Sequence, residues 1–273
     1  MLRETLDRLR AAAPLVHCIT NYVTANDCAN ILLACGASPV MAEDPGEVEE
    51  VTAQCGALVL NTGTLRQSVL PAMLAAGARA NALGLPVVLD PVGAGSSRLR
   101  TESARTLLEQ LQPAAIRGNL SEMRALAGSG RDTHGVDAAP ADRITAGTLD
   151  QTVAFAKSFA RQTGAVIAIT GAIDVVTDGR RAFCIRNGCP EMSRVTGTGC
   201  QLSAMMGACL AAVPQEPLAG AVTAVCAMGL CGQLARRRMT PLDGNASYCN
   251  YIIDAVYNLT GAQLEEGADY EVR

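Results

Sequence analysis

Short apolar segments alternate with longer amphipathic segments over much of the chain, and this alternation limits the folds that are open to it. Strand-like runs are predicted at 15–19, 38–42, 57–61, 86–90, 114–119 and 165–170. Helical patterns are predicted near 24–35, 64–83, 101–111, 121–127 and 149–162. Because strands connected through helices usually pair in parallel, the pattern predicts an α/β fold with a mainly parallel central sheet flanked by helices on both faces.

After residue 170, the strand–helix alternation gives way to a hairpin and then to a series of helices. A hairpin is predicted from "DVVTDG" and "RRAFCI", with Asp178–Gly179 as its turn. Helices then follow near 199–213, 217–236 and 245–259. No internal repeat is visible, and the polar, turn-rich segment 128–148 is interpreted as a surface excursion. The sequence therefore predicts a single domain over residues 1–273.

Charge and hydropathy exclude some classes of partner. The net charge is −4, and basic residues cluster only at Arg236–Arg238, so neither nucleic acid nor an acidic membrane is expected as a partner. No uncharged apolar run reaches the length of a membrane span. The N-terminus has the amphipathic spacing of a helix, with Leu2, Leu6 and Leu9 on one face, rather than the pattern of a secretion signal. We therefore expect a cytoplasmic protein.

Eleven cysteines raise the question of disulfides or a metal site. The chain has no C-x-x-C motif, and most of the cysteines stand in apolar runs. Free cysteine behaves as a small buried hydrophobe. Reduced, buried thiols are the expected state, in agreement with a cytoplasmic location.

Polar residues follow the predicted strands at the points where the strands end. In open α/β sheets, ligands bind beyond the carboxyl ends of the strands, so chemistry is expected there. The residues at these positions are Asn21, Asn61, Asp90, Arg117, Asn119, Glu122 and Thr170.

Two of these residues are carboxylates. Asp90 ends a strand in "LDPVGAGSS", and Glu122 lies in "RGNLSEM". Mg²⁺ prefers few carboxylates together with phosphate oxygens, so this sparse pair is a candidate metal site. The alternatives are structural: a helix-capping turn at Asp90, and a capping box formed by Asn119 and Glu122.

Arg117 and Thr170 also end strands. The Arg117 guanidinium could bind a phosphate bidentately, and the Thr170 hydroxyl could donate to one. Alternatively, Arg117 forms a surface salt bridge and Thr170 has no role beyond the strand end.

The segment "VTGTGC" leads directly into an apolar helix. Gly197 and Gly199 permit close approach of a ligand, and the first amides of the helix favour an anion. Cys200 stands beside them. Three roles remain open for its thiol, namely a base, a compact neighbour for an apolar substrate, or one more buried cysteine.

Together, these motifs resemble the ribokinase-like family, in which a G-x-G-D motif and an N-x-x-E motif occur. Here "GTGC" stands in place of the first and "NLSE" matches the second. Within that family, the chain is similar to the hydroxyethylthiazole kinases. The matching segments are "VHCITNYVTANDCANILLACGASPVMAED", "LNTGTL", "LDPVGAG", "RGNLSEM", "AITGAIDVVTDG" and "VTGTGC".

The resemblance implies phosphorylation by ATP, with Mg²⁺, of the alcohol of 4-methyl-5-(2-hydroxyethyl)thiazole in thiamine salvage. It also implies a homotrimer with active sites shared between subunits, and no separate lid domain. The roles that it implies are ATP binding by Arg117, Thr170, Asn119 and Gly199; metal binding by Asp90 and Glu122; thiazole binding by Met41, Gly197 and Asn21; and a catalytic role for Cys200.

Other functions within and outside this fold remain as alternatives. A kinase for hydroxymethylpyrimidine or another small alcohol, or a nucleotide-hydrate dehydratase, carries similar motifs, but these enzymes typically have aspartate where this chain has Cys200. The missing aspartate also raises the alternative of a catalytically inactive, ligand-binding relative.

Overall fold

The computed structural model describes residues 1–128 and 144–273. Most of the segment 128–148, interpreted above as a surface excursion, lies outside the described residues. Among the described residues, nine strands form a single sheet. They are β1 (Leu15–Ile19), β2 (Ser38–Val40), β3 (Ala57–Asn61), β4 (Val87–Asp90), β5 (Ala115–Asn119), β6 (Val166–Thr170), β7 (Asp174–Thr177), β8 (Ala182–Ile185) and β9 (Tyr270–Val272).

The strand order is β2-β1-β3-β4-β5-β6-β7-β8-β9. The six strands from β1 to β6 pair in parallel, and β7, β8 and β9 extend the sheet in antiparallel fashion. The turn between β7 and β8 includes Asp178 and Gly179, and Gly179 has φ +89°. The predicted mainly parallel sheet and the hairpin are both confirmed.

Eleven α-helices are described. They are α1 (Leu2–Ala12), α2 (Ala25–Cys35), α3 (Val48–Ala53), α4 (Leu70–Ala82), α5 (Arg98–Gln110), α6 (Leu120–Leu126), α7 (Leu149–Thr163), α8 (Thr198–Ala212), α9 (Pro217–Arg238), α10 (Asn245–Asn258) and α11 (Gly261–Gly267). A 3₁₀ helix spans Pro190–Arg194.

Helices cover both faces of the sheet, with one apolar core on each side. One core contains the buried faces of α1, α2, α8, α9 and α10, and the other contains those of α4, α5, α6 and α7. Leu2, Leu6 and Leu9 of α1 are all buried, as their spacing predicts. The central part of helix α8 lies within the first core, because every residue of 200–210 is buried.

Several predicted boundaries are wrong for identifiable reasons. Helix α4 begins at Leu70 rather than near residue 64, because Pro71 sets the first helical turn. Helix α5 begins earlier than predicted, at Arg98, where the Ser97 hydroxyl accepts a hydrogen bond from the Arg100 amide. In these two helices, the proline and the capping serine therefore place the start more accurately than apolar spacing does.

The sequence interpretation missed short elements. Helix α3, helix α11, the 3₁₀ helix and β9 are each seven residues or fewer, too short to show a period. Strand β9 pairs with β8 from the far end of the chain, and no local pattern predicts such a contact.

The cysteines and the longest described helix, α9, both belong to the core. Nine of the eleven cysteines are buried, and the other two, Cys189 and Cys249, are half-buried. Within the described residues, α9 alone is long and apolar enough to cross a membrane, and 89% of its apolar window is buried inside the protein. That degree of burial is typical of a core helix.

Substituting Gly229 with alanine should destabilise the fold by about 2 kcal/mol. A Cβ at this position of α9 would lie 2.7 Å from Asn187 Cβ and 2.8 Å from its carbonyl carbon. The Asn187 backbone has little freedom to move, because its side chain donates to the Gly267 carbonyl and accepts from the Asp269 amide.

Urea unfolding measures this difference. Gly147→Ala is the matched control, because its Cβ would meet only Thr145 Oγ1 at 3.9 Å. Equal urea midpoints of unfolding for the two variants would contradict the prediction. They would show that α9 can move away from Asn187 in the loop after β8 without loss of stability.

Candidate active site

Polar side chains converge where β1, β3, β4 and β5 end, opposite the first turn of α8. Asn61 and Asp90 are register partners at the ends of β3 and β4, and Asn119 and Thr170 are register partners at the ends of β5 and β6. The parallel pairing therefore brings together the strand-end residues that the sequence identified. The site lies at the carboxyl edge of the sheet, as expected for an open α/β fold.

Asp90 is the most buried acid of this group, with no exposed surface. Its Oδ2 accepts hydrogen bonds from Asn61 Nδ2 and Ser203 Oγ, both at 2.8 Å. Its Oδ1 is buried, has no hydrogen-bond partner among the residues that the structure describes, and lies 3.6 Å from Arg117 Nη1. Burial raises the pKa of Asp90, and Arg117 and the two hydrogen bonds oppose that rise. One oxygen is thus fixed while the other remains available as an acceptor.

Arg117 joins the strand ends to the start of α8. Its Nη2 donates to Thr170 Oγ1 at 2.8 Å, whereas its buried Nε has no partner. A Cβ at Gly199 would lie 2.4 Å from Nη1 and 2.5 Å from Nη2, so the guanidinium lies directly against the first turn of α8. The residue is an almost enclosed cation with spare donors, which excludes the alternative of a surface salt bridge.

Glu122 forms the capping box that the sequence offered as its structural alternative. Its Oε2 accepts from the Asn119 amide, and Asn119 Oδ1 accepts from the Glu122 amide, at 2.8 and 2.9 Å. Its Oε1 also accepts from the Gly93 amide at 2.8 Å, which ties the loop after β4 to α6. Burial, and secondly the nearby charge of Asp90, raise the pKa of Glu122 to about 7.

Gly197 is the N-cap residue of α8 and has φ +84°. This left-handed conformation suits glycine, and a Cβ there would also lie 2.5 Å from Thr24 Cγ2. Because glycine has no side chain, this cap residue cannot accept a hydrogen bond from the first helix amides. The first turn therefore keeps backbone N–H groups that can bind an anion.

Cys200 lies in that first turn and is 9% exposed. Its sulfur accepts hydrogen bonds from Asn21 Nδ2 at 3.3 Å and Asn61 Nδ2 at 3.2 Å. Burial raises the pKa of Cys200, and the nearby charge of Asp90 raises it further. The neutral thiol is therefore the form present at neutral pH.

The predicted substrate contacts lie on the side of the site nearest β2. Asn21 is buried and belongs to the hydrogen-bond network around Cys200. Met41 directly follows β2 and is 40% exposed, so it offers apolar surface at the same edge of the sheet. Because β2 pairs in parallel with β1, Met41 and Asn21 leave the sheet in the same direction.

Two contributing residues were given no role by the sequence. Ser203 lies three positions after Cys200 on α8, so both side chains project from one helix face toward Asp90 and Asn61. Asn61 was identified only as a strand-end residue, although it contacts both Asp90 and Cys200. The helical spacing from Cys200 is the signal that could have found Ser203.

The donor set fits a sparsely coordinated divalent cation. Over residues 1–128 and 144–273, no group of three or more His, Cys, Asp or Glu side chains could hold a metal by protein ligands alone. Asp90 nevertheless presents a buried oxygen without a partner. Such a site suits Mg²⁺, which takes most of its ligands from phosphate and water. Glu122 would act through water, because both of its oxygens already accept backbone N–H groups.

Known proteins are similar to this chain in both fold and sequence. Residues 6–262 match the hydroxyethylthiazole kinase family. The hydroxyethylthiazole kinase of Clostridium acetobutylicum is 54% identical over 271 residues, which cover 99% of each chain. The structure of the hydroxyethylthiazole kinase protein from Pyrococcus horikoshii superposes with a TM-score of 0.89 at 35% identity, covering 100% of this chain and 98% of that one.

A more distant structure defines the wider fold. A ribokinase-like superfamily protein from Enterococcus faecalis V583 superposes with a TM-score of 0.63 at 13% identity, over 96% of this chain and 95% of the other. The likeness at this identity concerns the fold alone, which is ribokinase-like as the motifs predict. The sequence match over nearly the whole length places the chain more narrowly: it belongs to the hydroxyethylthiazole kinase family.

Proposed function

We propose that this protein transfers the γ-phosphoryl group of ATP to the hydroxyl of 4-methyl-5-(2-hydroxyethyl)thiazole, giving the phosphate ester used in thiamine synthesis. The observation that carries the proposal is the free Oδ1 of Asp90, which lies beside Arg117 and the uncapped N-terminus of α8. The acid, the cation and the helix amides suit a magnesium–polyphosphate. The name shared by the relatives supports the thiazole alcohol as the acceptor.

The nucleotide side of the site consists of the cation and the helix amides. Arg117 has a free Nε and would bind phosphate oxygens, with Thr170 holding its guanidinium in place. The amides of Gly199 and its neighbours would stabilise charge on the transferred phosphoryl group. Asn119 would line the nucleotide site from the end of β5.

Asp90 and Glu122 form the metal side of the site. Asp90 would hold Mg²⁺ through Oδ1, and Glu122 would do so through water. When bound, the ion neutralises phosphate charge and orients the transferred group. The polypeptide supplies a fixed acceptor oxygen for this purpose, held by Asn61 and Ser203.

The acceptor alcohol would lie on the Cys200 side of the site, against Met41, Gly197 and Asn21. Phosphoryl transfer passes through a loose transition state in most analyses, so the alcohol proton leaves late and a strong base contributes little. The neutral Cys200 thiol can lie beside an apolar thiazole without burying a second carboxylate. We assign it the role of a compact contact to the reacting hydroxyl.

Assembly and location complete the proposal. We expect a homotrimer whose active sites lie between neighbouring subunits, and a cytoplasmic location in agreement with the buried thiols. Light scattering on the purified protein should give about three times the 28.3 kDa chain mass. A monomer of full activity would refute the shared site.

A coupled assay for ADP tests the reaction. ADP should form with the thiazole alcohol and MgATP, and its formation should cease when Mg²⁺ is chelated. Hydroxymethylpyrimidine and a hydrated nucleotide serve as competing substrates. Faster turnover of the pyrimidine, or ADP formed only with the hydrated nucleotide, would assign the protein to another ribokinase-like activity. A folded protein that releases no ADP with any of them would be the inactive relative.

Replacing Cys200 with serine should lower kcat by less than about tenfold and leave the pH profile unchanged between pH 7 and 9. The serine hydroxyl can accept the same hydrogen bonds from Asn21 and Asn61, and burial raises the pKa of the wild-type thiol, which disfavours the thiolate. Steady-state kinetics across this pH range provides the measurement. An alkaline rise in wild-type kcat that disappears in the variant would identify a thiolate base.

A further inference from the structure

Asn61 is the residue through which the two sides of the site are connected. Its side chain is 2% exposed. Its Nδ2 donates to Asp90 Oδ2 at 2.8 Å and to Cys200 Sγ at 3.2 Å. Its Oδ1 accepts from Asn21 Nδ2 at 3.1 Å and from the Gly63 amide at 2.9 Å. All four hydrogen bonds that an amide side chain can make are present.

The orientation of this amide is fixed by its partners. An ionised carboxylate such as Asp90 can only accept, and the backbone N–H of Gly63 can only donate. Turning the amide over would place an oxygen against the carboxylate and an NH₂ against the N–H. The second N–H of Asn61 must therefore point toward Cys200.

Asn21 is fixed in the same way. Its Oδ1 accepts from both the amide and the hydroxyl of Thr24, at 3.1 and 3.0 Å. Its Nδ2 consequently faces Asn61 Oδ1 and Cys200 Sγ. The sulfur thus meets two N–H donors, whose directions are set by Asp90 and the Gly63 amide for Asn61 and by Thr24 for Asn21.

These contacts determine where the neutral thiol directs its proton. Asn21 and Asn61 both donate to the sulfur, so the S–H bond of Cys200 turns away from these two residues, and the Thr24 hydroxyl also hydrogen-bonds the thiol. Likewise, Asn61 and Ser203 occupy Oδ2 of Asp90, so Oδ1 is the oxygen that remains for a ligand. The Asn61 amide is the one group that takes part in both arrangements, with Asn21 at the sulfur and with Ser203 at Asp90.

We infer that Asn61 is a positioning residue that holds Asp90 Oδ1 and the Cys200 S–H in a fixed mutual orientation, so that the metal–phosphate and the acceptor hydroxyl are aligned. This inference rests on the proposed phosphoryl transfer. Alignment matters because transfer requires the attacking and leaving oxygens in line, and a misplacement of about 1 Å can cost a hundredfold in rate. Asn61 touches neither reactant and acts through Asp90 and Cys200.

Two variants remove the NH₂ group of Asn61, and with it both N–H donors, without adding charge. Asn61→Ala deletes the amide, and Asn61→Ser keeps an oxygen that can accept from the Gly63 amide, which guards against a folding defect. Thermal unfolding shows which of the two variants is folded, and that variant is compared with the wild type. In the folded variant, kcat at saturating MgATP should fall about a hundredfold.

Binding without turnover provides the second measurement. Calorimetry with ADP should give a Kd about tenfold higher than wild type when Mg²⁺ is present, and an unchanged Kd when it is absent. Ser203→Ala removes only one donor to Asp90 and leaves Cys200 untouched. It should weaken Mg·ADP binding to a similar degree, while KM for the thiazole alcohol stays as in the wild type.

A control asparagine distinguishes positioning from general loosening. Asn81 exchanges two hydrogen bonds with the backbone of Gln112 near the opposite edge of the sheet, so Asn81→Ala should leave all these parameters unchanged.

Equal weakening of ADP binding with and without Mg²⁺ in the Asn61 variants would overturn the inference. Asn61 variants that bind Mg·ADP as tightly as the wild type and keep its kcat would also overturn the inference. Failure of the wild type to phosphorylate the thiazole would refute the proposed function instead, and the calorimetry would still test Asn61.

Discussion

Replacing Asp90 with asparagine should lower kcat about a thousandfold without destabilising the protein. Asparagine has nearly the same shape, and its oxygen can accept from Asn61 and Ser203 as Oδ2 does. The variant would lose the negative charge at Oδ1 and would place an NH₂ group 3.6 Å from Arg117. It therefore removes the metal contact and disturbs the phosphate-binding cation together.

Stability should not fall with activity, because ionised Asp90 is costly to bury. Burial raises its pKa despite Arg117, so the folded state favours the uncharged form relative to an exposed aspartate. Steady-state kinetics and urea unfolding on the same preparation measure the two effects. Asp150→Asn is the control, since its side chain on α7 is 90% exposed. An Asp90→Asn protein that retained a tenth of wild-type kcat would exclude Asp90 as the metal residue.

Replacing Gly199 with alanine should lower kcat/KM for ATP about a hundredfold. The added Cβ would lie 2.4 Å from Arg117 Nη1 and 2.8 Å from Cζ, so the guanidinium must move. Arg117 is held by Thr170 and Asp90, and its displacement would break both contacts. The methyl group would also fill part of the space in which a phosphate approaches the amides of α8.

The expected pattern for Gly199→Ala is specific to the nucleotide. KM for ATP should rise while KM for the thiazole alcohol changes little, because Met41 and Asn21 lie on the other side of the site. Gly147→Ala, at an exposed position without close neighbours, is the control for the added methyl group. An unchanged KM for ATP would argue that phosphate does not approach the first turn of α8.

The sequence predicted the central part of the fold well, because its parallel strands are short buried runs with polar residues at their ends. Asp90 and Arg117 could be placed at one edge of the sheet without a structure, since parallel pairing forces this arrangement. Helix α11 and β9 could not be predicted, because their stability depends on contacts with distant parts of the chain.

Individual side-chain contacts were harder to predict. Glu122 fits a capping box and a metal site equally well in sequence, and the structure shows that its second oxygen also binds the Gly93 loop. Asn61 looks like any strand-end polar residue until its four partners are known. Hydrogen-bond partners from separate segments determine both roles, and no spacing within one segment encodes them.

Helix α8 has a further physical consequence, because residues 200–210 are all buried. Its flanks contact apolar side chains rather than water, so mobile ions cannot surround the helix and weaken its field. An anion at its N-terminus therefore meets the helix dipole at the edge of a low-dielectric interior. The electrostatic attraction for polyphosphate at this point should depend little on ionic strength, in contrast to that of a surface helix.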